Sequence, residues 1–297
     1  MSDFPLPEPV VTDPIPVAED LDIQHDTDPE EDQSAARRIP HLGHALLFFS
    51  LMGACILTFQ FIVLFAIHGL TAVNLMQHPY ALAIALVLGY IATFAIAIPL
   101  FSAIWHRPFF QGISWTWRAA RLHWWQLLLL GCTLSVIAQT LEHLVKTPVT
   151  SDISNLLNTP LAAWLTVIFG SLLAPVVEEI SFRGFLLPAL ATAYDWLSLD
   201  RTPAGFHRWQ STTAHTIGAL LFAAIFSSLG FALLHGGQLH WAVGPLIILF
   251  IISLAFSVVR IRTQSVAAAV LVHIAYDAFI FIEVIIATHG FRHLDKL

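Results

Sequence analysis

The chain has 297 residues, 57% hydrophobic and only 11% charged, with a mean hydropathy of +0.75 and a formal net charge of −7. Soluble domains are about one-quarter charged, so this composition excludes an ordinary water-soluble globular protein, and no basic patch for nucleic acid is present. The acidic balance belongs to one end: residues 1–38 hold 11 of the 20 acids against Arg37 and Arg38, and the remainder has 9 acids and 11 bases.

Residues 1–40 form the first unit. They are rich in Pro, Asp and Glu, nearly free of aromatics, and cannot bury enough apolar surface to offset chain entropy. A disordered acidic cytoplasmic tail is expected. It has neither a basic n-region nor an early apolar core, so no cleavable signal is expected from it. Residues 41–155 are read as N-terminal membrane helices plus an interfacial segment, and 156–290 as the membrane unit that carries the chemistry.

A spanning helix needs about 20 mostly apolar residues. Seven stretches qualify, near 45–70, 81–104, 124–141, 161–180, 214–235, 241–259 and 266–287. The expected fold is therefore all-α, a polytopic membrane helix bundle of about seven transmembrane helices. The apolar piece 184–197 is short and interrupted by Pro188. It reads as an interfacial helix, a re-entrant piece or the tail of the fourth span. Residues 142–160, with Pro148 and Pro160, read as an outer loop.

Lys and Arg concentrate in cytoplasmic loops. With Arg37 and Arg38 inside, 10 of the 13 basic residues fall inside, and Lys146, Arg292 and Lys296 fall outside. The expectation is a multi-pass protein of a bacterial inner membrane with its N-terminus in the cytoplasm. Trp105, Trp115, Trp117, Trp124 and Trp125 surround the second-to-third connection, as expected of a segment lying flat among inner headgroups. Cys55 and Cys132 have no metal-ligand spacing and read as small apolar residues.

Within this apolar background the ionisable residues stand out, because they are costly in a membrane and usually face a polar interior. The fourth span carries Glu178, Glu179 and Arg183. Neighbours on a helix point about 100° apart, so the two glutamates are not expected to face one small site. Glu179 and Arg183 are spaced i, i+4, as in a helix ion pair. That assigns Glu179 and Arg183 to structural support and leaves Glu178 as the working carboxylate, able to act as a general base toward water. His235 ends the fifth span one turn after Phe231. His273 and Asp277 share a face of the seventh span at i, i+4, where an acid can orient the ring or share a metal with it. Glu283 reads as a boundary residue, Glu142 and His143 as a loop edge, and Gln60, His68 and Asn74 as helix-contact or interface residues. His106, His123, His207, His215 and His240 lie in or near loops with no matched partner.

These residues carry a resemblance. Glu178-Glu179-Ile180-Ser181-Phe182-Arg183, Phe231-Ala232-Leu233-Leu234-His235 and His273-Ile274-Ala275-Tyr276-Asp277 follow, in order, the E-E-x-x-x-R, F-x-x-x-H and H-x-x-x-N motifs of the type II CAAX prenyl endopeptidase and bacteriocin-processing (Abi, CPBP) intramembrane proteases. The resemblance spans roughly residues 160–285. It implies an intramembrane endopeptidase in which Glu178 activates water and His235, His273 and Asp277 complete the site. Asp277 stands where prenyl-processing members commonly carry Asn, so prenyl-peptide specificity is not carried over. Glu178, His235, His273 and Asp277 also form a donor set compatible with zinc or another divalent metal, and the same set can hold water directly. The implied partners are a peptide or protein substrate, membrane-associated, and the lipid bilayer. Two rival readings use the same residues: a proton-coupled transporter, in which Glu, His and Asp relay protons, and a non-catalytic immunity or scaffold protein.

Overall fold

The computed structural model describes residues 38–67, 79–145 and 159–293. Expectations for the acidic tail, for His68 and Asn74, and for most of the 142–160 connection therefore lie outside the described residues. The described chain is helical, with no strand among the described residues. We number the helices α1 (Leu42–Ala66), α2 (Pro79–Trp105), α3 (Phe109–Gly112), α4 (Trp117–Leu122), α5 (Trp124–Leu144), α6 (Pro160–Leu197), α7 (Pro203–Ser211), α8 (Ile217–Leu234), α9 (Val243–Thr263) and α10 (Val266–Ala287). Seven of these, α1, α2, α5, α6, α8, α9 and α10, are long and apolar enough to cross a membrane, each at one of the seven expected spans.

Helix starts follow from capping chemistry. An N-cap hydroxyl satisfies one of the backbone N–H groups that a first turn leaves without an intrahelical acceptor. Thr159 caps α6 by accepting from Ala162 N, Thr216 caps α8 through Ala219 N, and Ser265 caps α10 through Ala268 N. Pro160 and Pro203 occupy first-turn positions, where the missing N–H costs nothing. Gln264, at φ 52°, ends α9 in the left-handed region, so only Gln264 and Ser265 separate α9 from α10.

The fourth span is longer than the sequence suggests. α6 runs unbroken for 38 residues, and the 184–197 piece is its tail. Two wider, π-helical stretches interrupt its regular turns, at Phe169–Leu173 and Ile180–Leu186. Each is followed within two residues by a proline, Pro175 or Pro188. A proline cannot donate to the carbonyl four residues back and its ring crowds it; a widened turn absorbs both defects without breaking the helix.

The ends of several helices gather at one end of the bundle. Ser265 Oγ donates to Thr116 O (2.6 Å) and Val266 N to Ser114 O (3.1 Å), tying the α9–α10 turn to the second-to-third connection. Arg38 NH2 donates to Thr212 O (2.5 Å), tying the start of α1 to the α6–α8 connection. That end carries Arg107, Arg118, Arg121, Arg201 and Arg208. Trp117, Trp124 and Trp125 are exposed there, as expected of headgroup anchors, but Trp105 is 2% exposed. It belongs to an aromatic core in which Phe48 of α1 stacks on Phe185 of α6 at 4.2 Å, with Phe101 and Phe109 around them. This core holds the first two spans against α6.

Helix α5 packs closely on α10. A Cβ added at Gly131 would lie 2.4 Å from Val272 O and 2.6 Å from Ala275 Cβ. Both are backbone-near atoms that cannot swing away, so glycine is what allows this approach. Gly131→Val is expected to lower stability by about 1–3 kcal/mol through overpacking, read as a lower unfolding temperature in detergent. Cys55 and Cys132 are free thiols.

Candidate active site

Glu178 lies near the middle of α6, and His235 caps the far end of α8. The two stand a similar number of residues from the chain ends joined by the 198–216 connection, so they reach similar heights in the bundle. The continuous α6 is what makes this meeting possible; a fourth span ending at residue 180 would have left Glu178 near one surface and His235 near the other.

Three helices then contribute to one cluster. Glu178 Oε1 is 3.8 Å from His235 Nε2, and Glu178 Oε2 is 3.7 Å from His273 Nε2. His273 Nε2 is also 3.4 Å from Asp277 Oδ2, across the expected i, i+4 turn of α10. The structure thus brings together all four residues singled out from the sequence.

The tautomers of both rings follow from their other nitrogens. His235 Nδ1 donates to Phe231 O (2.9 Å), because a carbonyl can only accept. That bond, with ring packing on Phe231 at 4.6 Å, gives Phe231 a structural part in aiming the imidazole. His273 Nδ1 donates to Glu179 Oε1 (2.9 Å), and Phe256 flanks the ring at 4.5 Å. In the neutral state each ring therefore turns an Nε2 lone pair toward Glu178, and in the protonated state each turns an N–H there.

Behind this layer lies a fully buried one. Glu179 and Arg183 are both 0% exposed, with Arg183 NH1 2.9 Å from Glu179 Oε1. Arg183 NH2 also donates to Ser253 O (2.7 Å) and Ser253 Oγ (2.6 Å) on α9. The guanidinium lies 5.0 Å from the Phe231 ring centroid. The chain of contacts runs Ser253, Arg183, Glu179, His273, Glu178.

One expectation needs correction. The two glutamates were expected not to share a small site, yet both face His273, Glu179 at Nδ1 and Glu178 at the Nε2 side. The angular argument is sound for a single point, but an imidazole has two nitrogens on opposite edges, and a ring lying between the side chains meets both. Glu179 is thus an orienting group for His273 as well as the ion-pair partner of Arg183.

Burial divides the site in two. The Glu178, His235 and Asp277 side chains are 18–22% exposed, whereas His273 is 5% and Glu179 0%. These three side chains are thus partly accessible, while His273 and the carboxylate that orients it are enclosed. Tyr90 of α2 comes within electrostatic reach of Glu178; nothing in the sequence around Tyr90 distinguishes it from a packing tyrosine.

A second polar cluster escaped the sequence reading. Asp195, near the end of α6, accepts from Thr216 Oγ1 at 2.7 Å, its Oδ2 lies 2.8 Å from His215 Nδ1, and Arg38 stands 3.7 Å away. His215 was expected to lack a partner, as was His123, which meets Gln126 Oε1 at 2.7 Å; His240 is not free either. Glu142 and His143, expected at a loop edge, lie in the last turn of α5.

Among the described residues, no group of three or more His, Cys, Asp or Glu is placed so as to hold a metal ion. The facing atoms of the cluster stand 3.4–3.8 Å apart, a spacing that suits hydrogen-bonded groups around a small polar molecule.

Seven membrane-length apolar helices, three of which meet at an acid–imidazole cluster, define a multi-pass membrane protein. The comparison with known families agrees: residues 160–279 match the family model described as type II CAAX prenyl endopeptidase Rce1-like, a protease family. The matched segment contains α6, α8, α9 and the part of α10 bearing His273 and Asp277. No curated protein and no solved structure matches the chain.

Proposed function

We propose that this protein is an intramembrane endopeptidase that hydrolyses a peptide bond with water activated by Glu178. The observation that supports it best is the placing of the Glu178 carboxylate between His235 Nε2 and His273 Nε2, at 3.8 and 3.7 Å. A water in that space donates one hydrogen to Glu178 and directs its oxygen at the substrate carbonyl carbon. As the carbon–oxygen bond forms, Glu178 takes the proton, and the carbonyl oxygen becomes an oxyanion that accepts an N–H from protonated His273 or His235. The C–N bond then breaks as Glu178 passes its proton to the leaving amine. Glu179 keeps Nδ1 of His273 engaged, and Arg183 holds the Glu179 carboxylate in place. Asp277 steadies the Nε2 edge of the same ring.

The four polar side chains, two imidazoles and two carboxylates, are also the donors a zinc-class cation prefers. As they stand, Glu178, His235, His273 and Asp277 are not placed to hold such an ion; a cation would require them to close up around it, and would then supply a more acidic water. Elemental analysis of purified wild type beside His273→Ala decides this part: one equivalent of metal in wild type, lost in the variant, is expected if a cation belongs to the site.

The substrate is proposed to be a membrane-associated peptide or protein. The asymmetry of Lys and Arg supports a cytoplasmic N-terminus. The test is reconstituted wild-type protein mixed with a library of membrane-associated peptides and read by mass spectrometry for new termini. Solute uptake by the same vesicles without any new termini would sink the protease reading in favour of a carrier.

A further inference from the structure

A cavity of about 680 Å³ lies at the arginine-rich end of the bundle, between the start of α1, the end of α2 and the tail of α6. Thr192, on its wall, is fourteen residues along α6 from Glu178, about 20 Å at 1.5 Å per residue. The cavity is therefore separate from the acid–imidazole cluster.

Its polar lining is unusual in sign. The lining side chains that carry nitrogen are Arg38, His41, His44, Trp105, Trp196 and Trp209, and no carboxylate is among the lining residues. The two histidines are fixed as donors. Gly43 N donates to His41 Nδ1 (3.1 Å) and His41 N donates to His44 Nδ1 (3.2 Å). A backbone N–H can only donate, so both Nδ1 atoms carry lone pairs and both Nε2 atoms carry hydrogens. Tryptophan and arginine nitrogens donate only.

Two of these donors are buried and without an acceptor. Trp105 is 2% exposed and its Nε1 has no partner; the Arg38 side chain is 7% exposed and its Nε has none. A buried donor left without an acceptor is destabilising, so two of them among the residues lining one cavity point to a ligand that supplies acceptors.

The surroundings say where such a ligand comes from. Leu42 and Leu197, also in the lining, are 42% and 80% exposed, so the cavity rim is continuous with the apolar outer face of the bundle. Tryptophans at this level and arginines in the adjoining connections mark the headgroup depth of a leaflet rich in anionic lipid. We infer that this cavity binds the phosphate of an anionic phospholipid headgroup, with the acyl chains leaving past Leu42 and Leu197. Because Asp195 offsets part of the Arg38 charge, the selectivity comes from the excess of donors and from the nearby arginines together. Lipid so bound clamps the start of α1 to the tail of α6.

The test uses the full chain purified in mild detergent and exposed to phosphatidylglycerol, phosphatidylcholine or inorganic phosphate, with bound species counted by native mass spectrometry. Wild type is expected to retain one phosphatidylglycerol, and to be stabilised against heat by it. Trp105→Phe keeps the ring and removes the hydrogen-bond donor; Arg38→Gln removes the charge. Each is expected to weaken retention by roughly tenfold, the scale of a charge-assisted hydrogen bond. Should Arg38→Gln fold poorly, Trp105→Phe alone decides. Equal retention of phosphatidylcholine, retention unchanged in Trp105→Phe, or binding of inorganic phosphate that displaces the lipid would each overturn the inference.

Discussion

Glu178→Gln is expected to leave the bundle folded and to reduce peptide cleavage by at least about 10²–10⁴-fold, the range associated with a positioned general base. The substitution changes neither shape nor volume. It removes the negative charge and, with it, the ability to take a proton from water. The Glu178 side chain is 21% exposed, and its ion-pair contacts among the described residues are at 3.7 and 3.8 Å, so little native packing depends on its charge. The unfolding temperature should therefore stay close to that of wild type while new peptide termini disappear. Full activity in Glu178→Gln would remove this carboxylate from the chemistry and with it the reading of the site.

The opposite pattern is expected five positions along, at Arg183. Arg183→Met leaves the Glu179 carboxylate in a fully enclosed place with its cation gone and removes both bonds from Arg183 to Ser253. Breaking a buried ion pair from one side costs about 3–5 kcal/mol, because the remaining charge stays unpaired. Arg183→Lys should recover only part of this, since an ammonium cannot reproduce the fork that reaches Glu179 and Ser253 at once. Adding Glu179→Gln to Arg183→Met should restore part of the stability, and with the single Glu179→Gln variant measured beside them the cycle gives the coupling energy of the pair. Cleavage should remain low in the double variant because His273 has lost the carboxylate that fixes its Nδ1. A double variant no more stable than Arg183→Met would show that the pair contributes little.

The parts of this architecture that were legible in the sequence are those set by local rules. Each span is a run of apolar residues long enough to reach across a bilayer, and each needs no partner to be recognised. The acids and histidines stood out because a membrane segment makes them expensive, and the spacing of Glu179 with Arg183 and of His273 with Asp277 needed only helix geometry. What could not be read depends on separation in the chain. Asp195, His215 and Arg38 meet only after α6 and α8 fold together and α1 closes on them, and none lies in a motif. The meeting of both glutamates on one imidazole depends on where α10 stands beside α6. The two prolines in α6 could be seen, but a proline in an apolar run signals a break as readily as a widened turn. Trp105 looked like its exposed neighbours because burial is decided by the aromatic residues of other helices.

The length of α6 has a consequence for what the site can select. Thirty-eight residues of helix reach about 57 Å at 1.5 Å each, nearly twice the roughly 30 Å of hydrocarbon. Such a rod must protrude, and the carboxylate near its midpoint is held at a set distance from the headgroups by the side chains that float the rod. Under the proposed function, a substrate crossing the same bilayer would be measured by a ruler: the bond cut would be the one lying at the level of that carboxylate.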